Sequence, residues 1–317
     1  MARVSIPLVQ DLGGVYLLDT RQMGVEGIIG VFLIPGPGNS FILVETGAGS
    51  TLPTIKRGIA EAGFELQGLS AILLTHIHLD HAGAAGALAQ ETGAKVYVHA
   101  RGAPHLNDPS RLLASATRIY GDRMDALWGT IVPIPAAQLE VLSGGETLDI
   151  LGHRFEALYT PGHASHHLTF LLNGGALFTG DAAGVYLTGS SVLRPALPPP
   201  EIDLETWRES VATMLAAAPK RLLLTHFGEV KNAQAHLRAV PERNQTWADV
   251  ILEGLQRGDN TDALVKRISD FGNAELRADG APPEVVKRHQ TTSNYTMTAA
   301  GVERYWRKFH PNKVEGS

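Results

Sequence analysis

Between residues 76 and 81 the chain gathers three histidines and an aspartate, His76, His78, Asp80 and His81, in the run Thr75-His76-Ile77-His78-Leu79-Asp80-His81-Ala82-Gly83. The preceding Ala71-Ile72-Leu73-Leu74 is a short apolar run that reads as a buried strand, and the Ala-rich stretch from Ala82 to Thr92 reads as a helix. In an extended segment, side chains at even spacing share a face, so His76, His78 and Asp80 point to one side. A turn into helix near Asp80 swings His81 toward the same place. Four donors then converge from six residues with no long loop to close. A solvated, histidine-rich turn is the alternative. With 13 histidines in 317 residues, such a four-residue pattern arises by chance on the order of once in a thousand chains.

Three more polar residues follow directly on apolar strand-like runs: His163 in Thr160-Pro161-Gly162-His163, Asp181 in Phe178-Thr179-Gly180-Asp181, and His226 in Leu223-Leu224-Thr225-His226. Strand-to-loop junctions are where α/β proteins build their sites. Cysteine is absent, which removes disulfides, thiolate ligands and a thiol nucleophile. A metal must therefore be held by imidazole and carboxylate, which suits zinc, iron or manganese better than soft ions.

The rest of the chain supports a layered α/β fold. Strands are expected at Val15–Leu18, Val31–Ile34 and Phe41–Val44, the last two joined by the Pro35-Gly36-Pro37-Gly38-Asn39 turn. A helix with Ile55, Ile59 and Ala60 on one face leads to the strand before the histidine cluster. Further strands are expected at Lys95–Val98, Arg154–Leu158, Leu168–Leu172, Ala176–Phe178 and Arg221–Leu224, with helix over 109 to 128 and near 203 to 217. From about residue 235 the periodicity is helical. Trp247, Val250, Ile251 and Leu255, then Leu264, Ile268 and Phe271, then Tyr295, Ala299, Val302, Trp306 and Phe309, form apolar stripes read as core. Residues 1–235 are expected to be the catalytic domain and 236–317 a helical cap or homodimer element.

Apolar residues at 44% and charged residues at 19% match a globular domain. The formal net charge of −5 provides no basic field for a nucleic acid partner. No run approaches the ~18 to 20 apolar residues of a membrane span, and residues 1–7 carry no long apolar leader, so a cytoplasmic protein acting on a small molecule is expected.

The ordered set of motifs, over roughly residues 15 to 230, resembles the metallo-β-lactamase superfamily and specifically its glyoxalase II-like hydrolase branch. The resemblance implies an αββα sandwich and two metal ions, with zinc expected and iron or manganese the alternatives. His76, His78 and His163 would bind the first ion and Asp80, His81 and His226 the second, with Asp181 bridging both. A shared hydroxide would attack a thioester or ester carbonyl, with Asp80 or Asp181 carrying the proton to the leaving group. Glu45, in Val44-Glu45-Thr46-Gly47, stands where the family usually has Asp, and with His167 is expected to support the ligands. His166 is read as incidental and His99 as structural, while Tyr186, Arg194 and Phe227 are candidate substrate-pocket residues, with packing or surface the alternative for each. The alternatives are a lactonase, which would use a tyrosine shortly after the bridging aspartate, a persulfide dioxygenase with a single iron, a phosphodiesterase, and a binding protein that has kept the pocket without turnover.

Overall fold

The computed structural model describes residues 5–315, so the first four residues of the N-terminal segment lie outside the described residues. Two sheets face each other. The first is built from β1 (Val9–Asp11), β2 (Tyr16–Asp19), β3 (Gly30–Pro35) and β4 (Phe41–Val44), then, after α1 (Leu52–Glu61), β5 (Leu69–Leu73). Two short helices, α2 (Leu79–Ala82) and α3 (Ala85–Thr92), lead to β6 (Lys95–His99). A helical excursion of α4 (Ala103–Asn107), α5 (Ser110–Tyr120) and α6 (Met124–Trp128) precedes β7 (Leu139–Leu142). The sheet runs in chain order, antiparallel from β1 to β4 and parallel from β4 to β7.

The second sheet holds β8 (Thr147–Ile150), β9 (His153–Tyr159), β10 (Leu168–Leu172), β11 (Ala176–Gly180), then, beyond α7 (Leu204–Ala216), β12 (Arg221–Leu224) and β13 (Gly228–Val230). The β11–β12 pair is parallel and the others are antiparallel. Helices α8 (Ala233–Gln256), α9 (Thr261–Ala278), α10 (Pro283–Thr292), α11 (Tyr295–Phe309) and α12 (Pro311–Val314) complete the chain.

The central strands are apolar on both faces because both faces are covered, and the two-residue period of a strand sorts their side chains between layers. Phe32, Ile34, Ile42, Val44, Ala71 and Leu73 point between the sheets, where they meet Phe155, Leu168, Phe170, Phe178 and Leu223. Their neighbours Val31, Leu33, Phe41, Leu43 and Ile72 point the other way, onto α1 and α3. Across the second sheet, Leu171, Leu177, Leu222 and Leu224 turn outward onto α7 and onto Trp247, Ile251, Val302 and Trp306 of the C-terminal helices. The result is the αββα sandwich with a helical extension.

Some local expectations need correction. Ala60 is exposed and Gly58 takes its place on the buried face of α1; Phe309, at the end of α11, is 39% exposed. The helix expected from Ala82 to Thr92 begins only at Ala85, because Ala82 closes the separate short helix α2. Strands β1, β7, β8 and β13 and helix α4 were not read from the sequence. β7 and β8 alternate or mix exposure along only four residues each, too short a stretch for a period to stand out.

Trp306 is 2% exposed and donates its Nε1–H to the Ala248 carbonyl at 2.8 Å, tying α11 to α8 inside the core shared with the second sheet. Trp306→Ala should cost about 3 to 5 kcal/mol, read as a lower urea midpoint. Because that core is continuous, the loss should appear in one cooperative transition; separate melting of the C-terminal helices would contradict this.

Candidate metal centre

The donors meet where the C-terminal ends of β5, β11 and β12 emerge at one edge of the sandwich. Pairing of β4 with β5 sets Val44 opposite Leu73, which brings Glu45 beside Thr75 just beyond the strand ends. The chain then stays extended through His78, whose φ and ψ are −60° and 149°, and enters α2 at Leu79. That turn carries His81 back toward His76, their ring centroids lying 4.0 Å apart. On the other sheet, the parallel pair β11–β12 sets Gly180 opposite Leu224 and so delivers Asp181 and His226 side by side. The Thr75 carbonyl accepts from Leu168 N–H at 2.7 Å and the Thr225 carbonyl from Gly30 N–H at 2.8 Å, stitching the two sheets together at this edge.

Two glycines are needed for close approach. Gly180 has φ +48°, and a Cβ there would lie 2.3 Å from Thr75 Oγ1 and 2.8 Å from His167 Nε2. Gly162 has φ +127°, and its Cβ would lie 2.4 Å from Trp207 Cα. Trp207 in turn packs its ring 5.7 Å from that of His163 and donates Nε1–H to the Ala182 carbonyl at 2.8 Å. Helix α7 thus braces the loops after β9 and β11 together.

The seven residues expected as ligands come together. Nε2 of His76 and Nε2 of His163 each lie 2.9 Å from His78 Nδ1, and His163 Nε2 lies 3.2 Å from Asp181 Oδ2. The other carboxylate oxygen, Asp181 Oδ1, is 3.2 Å from His81 Nε2 and 3.3 Å from His226 Nε2. Asp80 Oδ2 is 3.5 Å from His81 Nε2 and 3.4 Å from His226 Nε2. Four ligand atoms around a tetrahedral ion with bonds near 2.0 to 2.1 Å sit about 3.3 Å from one another, close to these separations. His81 Nε2 and Asp181 Oδ1 are buried and make no aligned hydrogen bond, although they lie 3.2 Å apart. Each is aimed at a shared point rather than at the other, which is how lone pairs converge on a cation.

The outward ring nitrogens have partners of their own. His163 Nδ1 lies 2.9 Å from the Ala196 carbonyl and His226 Nδ1 lies 2.7 Å from that of Ile28. Each must donate, which fixes a proton on Nδ1 and turns Nε2 toward the centre, free to act as a ligand atom whenever the ring is neutral. His81 Nδ1 lies 3.2 Å from Glu45 Oε1, which also accepts the Thr75 hydroxyl; His76 Nδ1 lies 3.0 Å from Thr75 Oγ1. The fully buried Glu45 therefore orients His81 directly and His76 through Thr75. His167 takes the Asp181 N–H at 3.2 Å on Nε2 and faces Thr160 Oγ1 at 3.0 Å with Nδ1. It holds the backbone that carries Asp181.

Charge is balanced within the cluster. Burial, then the His163 ring, pushes His78 down to about 4, and burial followed by the His81 charge holds His76 well below its usual range. Burial would raise Asp181, but His81, His163 and His226 outweigh it and hold the carboxyl well below the carboxylate range. Burial also opposes charge on His226, yet Asp181 and Asp80 prevail and push it up to about 10. Positive charge on the His226 and His81 rings thus balances the carboxylates, a role that a cation bound by the same residues would take over.

The centre opens into a cavity of about 1010 Å³, walled by α5 and α6 on one side, by residues 195–201, and by the 290–298 segment of the C-terminal helices. His78, Asp80, Asp181 and His226 form its floor. The three expected pocket residues are not among those that line it. Val185 takes the lining position, so the adjacent Tyr186 turns away and packs its ring 5.4 Å from His236. Phe227 is buried in the core between the sheets, beside Gly27 and Gly30. Arg194 is fully buried, donating from Nη2 to the Gly272 carbonyl at 2.7 Å between the rings of Trp247 and Tyr295. His166, read as incidental, does line the cavity, 5.7 Å from His78 between ring centroids. Its place beside His167, shortly after the Gly162 turn, was the only sequence signal for it. His99 is structural, stacked 4.6 Å from Tyr159.

The pattern of the metallo-beta-lactamase superfamily matches residues 27–226, which holds all seven donors. The chain belongs to this superfamily. Metallo-beta-lactamase fold-containing protein ST1585 of Sulfurisphaera tokodaii is 32% identical over 206 residues, 63% of this chain and 77% of that protein. Atrochrysone carboxyl ACP thioesterase of Aspergillus fumigatus is 26% identical over 280 residues, 87% of this chain and 72% of that protein. Among solved structures, a metallo-beta-lactamase family protein from Thermus thermophilus covers 94% of both chains at a TM-score of 0.67 and 22% identity, so its match extends the fold through the C-terminal helices. As a metallo-β-lactamase-superfamily hydrolase, the protein has histidine and aspartate side chains positioned to bind metal. Among the described residues no helix is long and apolar enough to cross a membrane.

Two outcomes follow from this geometry. Glu45→Gln should weaken metal affinity about 10- to 100-fold, measured by competition with a chromophoric chelator; unchanged affinity would remove Glu45 from its supporting role. Because His226 is pushed up to about 10, loading must expel its proton at neutral pH, so affinity rises with pH through the range below about 10. Zinc titration calorimetry at pH 7 in buffers of different ionisation enthalpy should show proton release, and its absence would contradict the protonated state.

Proposed function

We propose that the protein is a dinuclear metallo-hydrolase that cleaves a carboxylic thioester or ester, chemistry of the glyoxalase II-like type. The observation that carries this is the division of the Asp181 carboxylate, Oδ2 facing His163 and Oδ1 facing His81 and His226. His76, His78 and His163 with Asp181 would hold one ion, and Asp80, His81 and His226 with the same Asp181 the other. Zinc suits four-coordinate nitrogen and oxygen sets of this kind, with iron or manganese the alternatives. When bound, the ions supply Lewis acidity toward a carbonyl oxygen and a water acidic enough to serve as nucleophile near neutral pH.

The chain's own groups do the rest. Asp80, whose side chain is 22% exposed against 7% for Asp181, faces the cavity with room to take up a proton on its carboxylate and pass it to the departing thiol or alcohol. Asp181 has both oxygens directed at imidazoles and serves to orient. The cavity admits an acyl group of substantial size, and its apolar wall of Leu112, Ala116 and Ile119 along α5 would exclude water from the carbonyl. A thioester is favoured over a lactone on two grounds. The Aspergillus fumigatus relative is named as a thioesterase, and Tyr186, the tyrosine after the bridging aspartate, is turned toward His236. A single-iron oxygenase would leave the Asp80, His81 and His226 set without a task.

Metal analysis of purified protein, combined with a thioester, lactone and phosphodiester panel, tests this directly. Two zinc ions per chain with thioester turnover are expected; one iron with oxygen consumption would replace the proposal. His78→Ala should cost about a hundredfold or more in kcat/KM with an unchanged circular dichroism spectrum. Asp181→Asn should lower metal content as well as rate, since one carboxylate serves both donor sets.

A further inference from the structure

The loop between β2 and β3, residues 20–28, reaches the metal centre with one end and the cavity with its tip. The Ile28 carbonyl accepts the His226 Nδ1–H at 2.7 Å. Gln22 and Met23 line the cavity, and the Gln22 amide donates to the Leu127 carbonyl of α6. The backbone of this loop is unusual, since Arg21, Met23, Gly24 and Gly27 all have φ between 50° and 73°. Two of the four are not glycine, so surrounding contacts must hold a conformation that the chain does not favour by itself.

Asp19, the last residue of β2, supplies those contacts. Its Oδ1 accepts the Arg21 N–H at 3.0 Å and its Oδ2 the Gly27 N–H at 2.9 Å. The first bond is the common turn of an aspartate onto the backbone two residues ahead. The second spans the loop and ends one residue before the carbonyl that orients His226. Gly27 is wedged there, for a Cβ would lie 2.1 Å from Ile6 Cδ1 and 3.0 Å from Phe227 Cε1. A chain of contacts with stated lengths therefore runs from the Asp19 carboxylate through the Gly27 and Ile28 backbone to the His226 ring.

We propose that Asp19 is a positioning residue for the Asp80, His81 and His226 donor set, its carboxylate clamping the two arms of the 20–28 loop and thereby holding the His226 ring. This rests on the donor assignment made above. Asp19 is 1% exposed and forms no ion pair with any described residue. The charged groups that bear on it are Arg21 and Glu26 of the same loop, while Leu8 and Gly30, its neighbours across the strands, carry no charge. Burial pushes its carboxyl up to about 6, against the pull of the two backbone donors and Arg21. Below that pH one carboxyl oxygen carries a proton and turns from acceptor to donor, so one arm of the loop loses its clamp.

An amide is a close stand-in for a protonated carboxyl, so Asp19→Asn supplies the comparison. In calorimetric zinc titrations at a pH of about 7.5, the variant should bind one of the two ions about tenfold more weakly than wild type. At a pH of about 5 the two proteins should converge to within about twofold, because wild-type Asp19 is then protonated as well. An aspartate that only supports the fold would leave the ratio the same at both pH values. In parallel, NMR titration of the metal-free wild type should move the Gly27 amide and the His226 ring resonances together, with a midpoint at about 6. His226 is itself pushed up to about 10, so a step at that midpoint comes from elsewhere, and the variant should lack it. Equal zinc affinity in both proteins, a ratio independent of pH, or a Gly27 amide that titrates while His226 does not would overturn the proposal. Absence of zinc uptake by wild type would strike the donor assignment instead. The joint titration of Gly27 and His226 in wild type then decides the positioning role, as it does if the variant fails to fold.

Discussion

The architecture depends on two charged carboxylates, Asp181 buried and Asp80 half-buried on the floor of the cavity. Asp80 and Asp181 are held among imidazoles at the edge of the sandwich, where burial opposes ionisation of both. Leaving such groups ionised is costly unless cationic partners surround them. The cluster meets that requirement by facing each carboxylate with histidines and by fixing those histidines from behind, His163 by the Ala196 carbonyl, His226 by the Ile28 carbonyl and His81 by Glu45. The backing groups come from three different loops, so the centre also fastens together parts of the chain far apart in sequence.

That requirement explains the shape of the sheets. Donors have to arrive from both halves of the sandwich at one edge, which parallel pairing achieves: β4 with β5 brings Glu45 to Thr75, and β11 with β12 brings Asp181 to His226. Antiparallel neighbours would send consecutive strand ends to opposite edges. The pairs that deliver these residues are parallel, as are β5–β6 and β6–β7, and the remaining pairs are antiparallel. The helices needed to connect the parallel strands, α1, α3 and α7, then cover the outer faces, which allows every central strand to be apolar throughout.

Much of this was legible because the chemistry and the period coincide. His163, Asp181 and His226 each follow an apolar run long enough to identify as a strand, and a strand end has a defined position in an α/β layer. The 76–81 cluster was legible from alternation plus one turn. Facing within loops was not. Tyr186 and Val185 are adjacent, and nothing in their types says which looks into the cavity; the Val185–Arg194 bridge decides it. Arg194 reads as a binding residue by type, yet the C-terminal helices that bury it lie far along the chain. His166 was passed over since its neighbours His163 and His167 accounted for the motif, while its partnerless Nδ1 is visible only in three dimensions. Edge strands β7 and β8 escaped for a simpler reason, as four half-exposed residues give no period.

The division between centre and wall bears on specificity. The ligand-bearing loops are constrained by one another, since moving any of them changes a donor, its supporting hydrogen bond or a glycine contact such as Gly180 against Thr75. The α4–α6 excursion and the 290–298 segment are under no such constraint: they touch the cavity and not the donor set. Substitutions there would alter which substrate the cavity admits while leaving the arrangement of the histidines and aspartates intact. A centre of fixed geometry beneath walls that tolerate change is what allows one fold to serve many substrates.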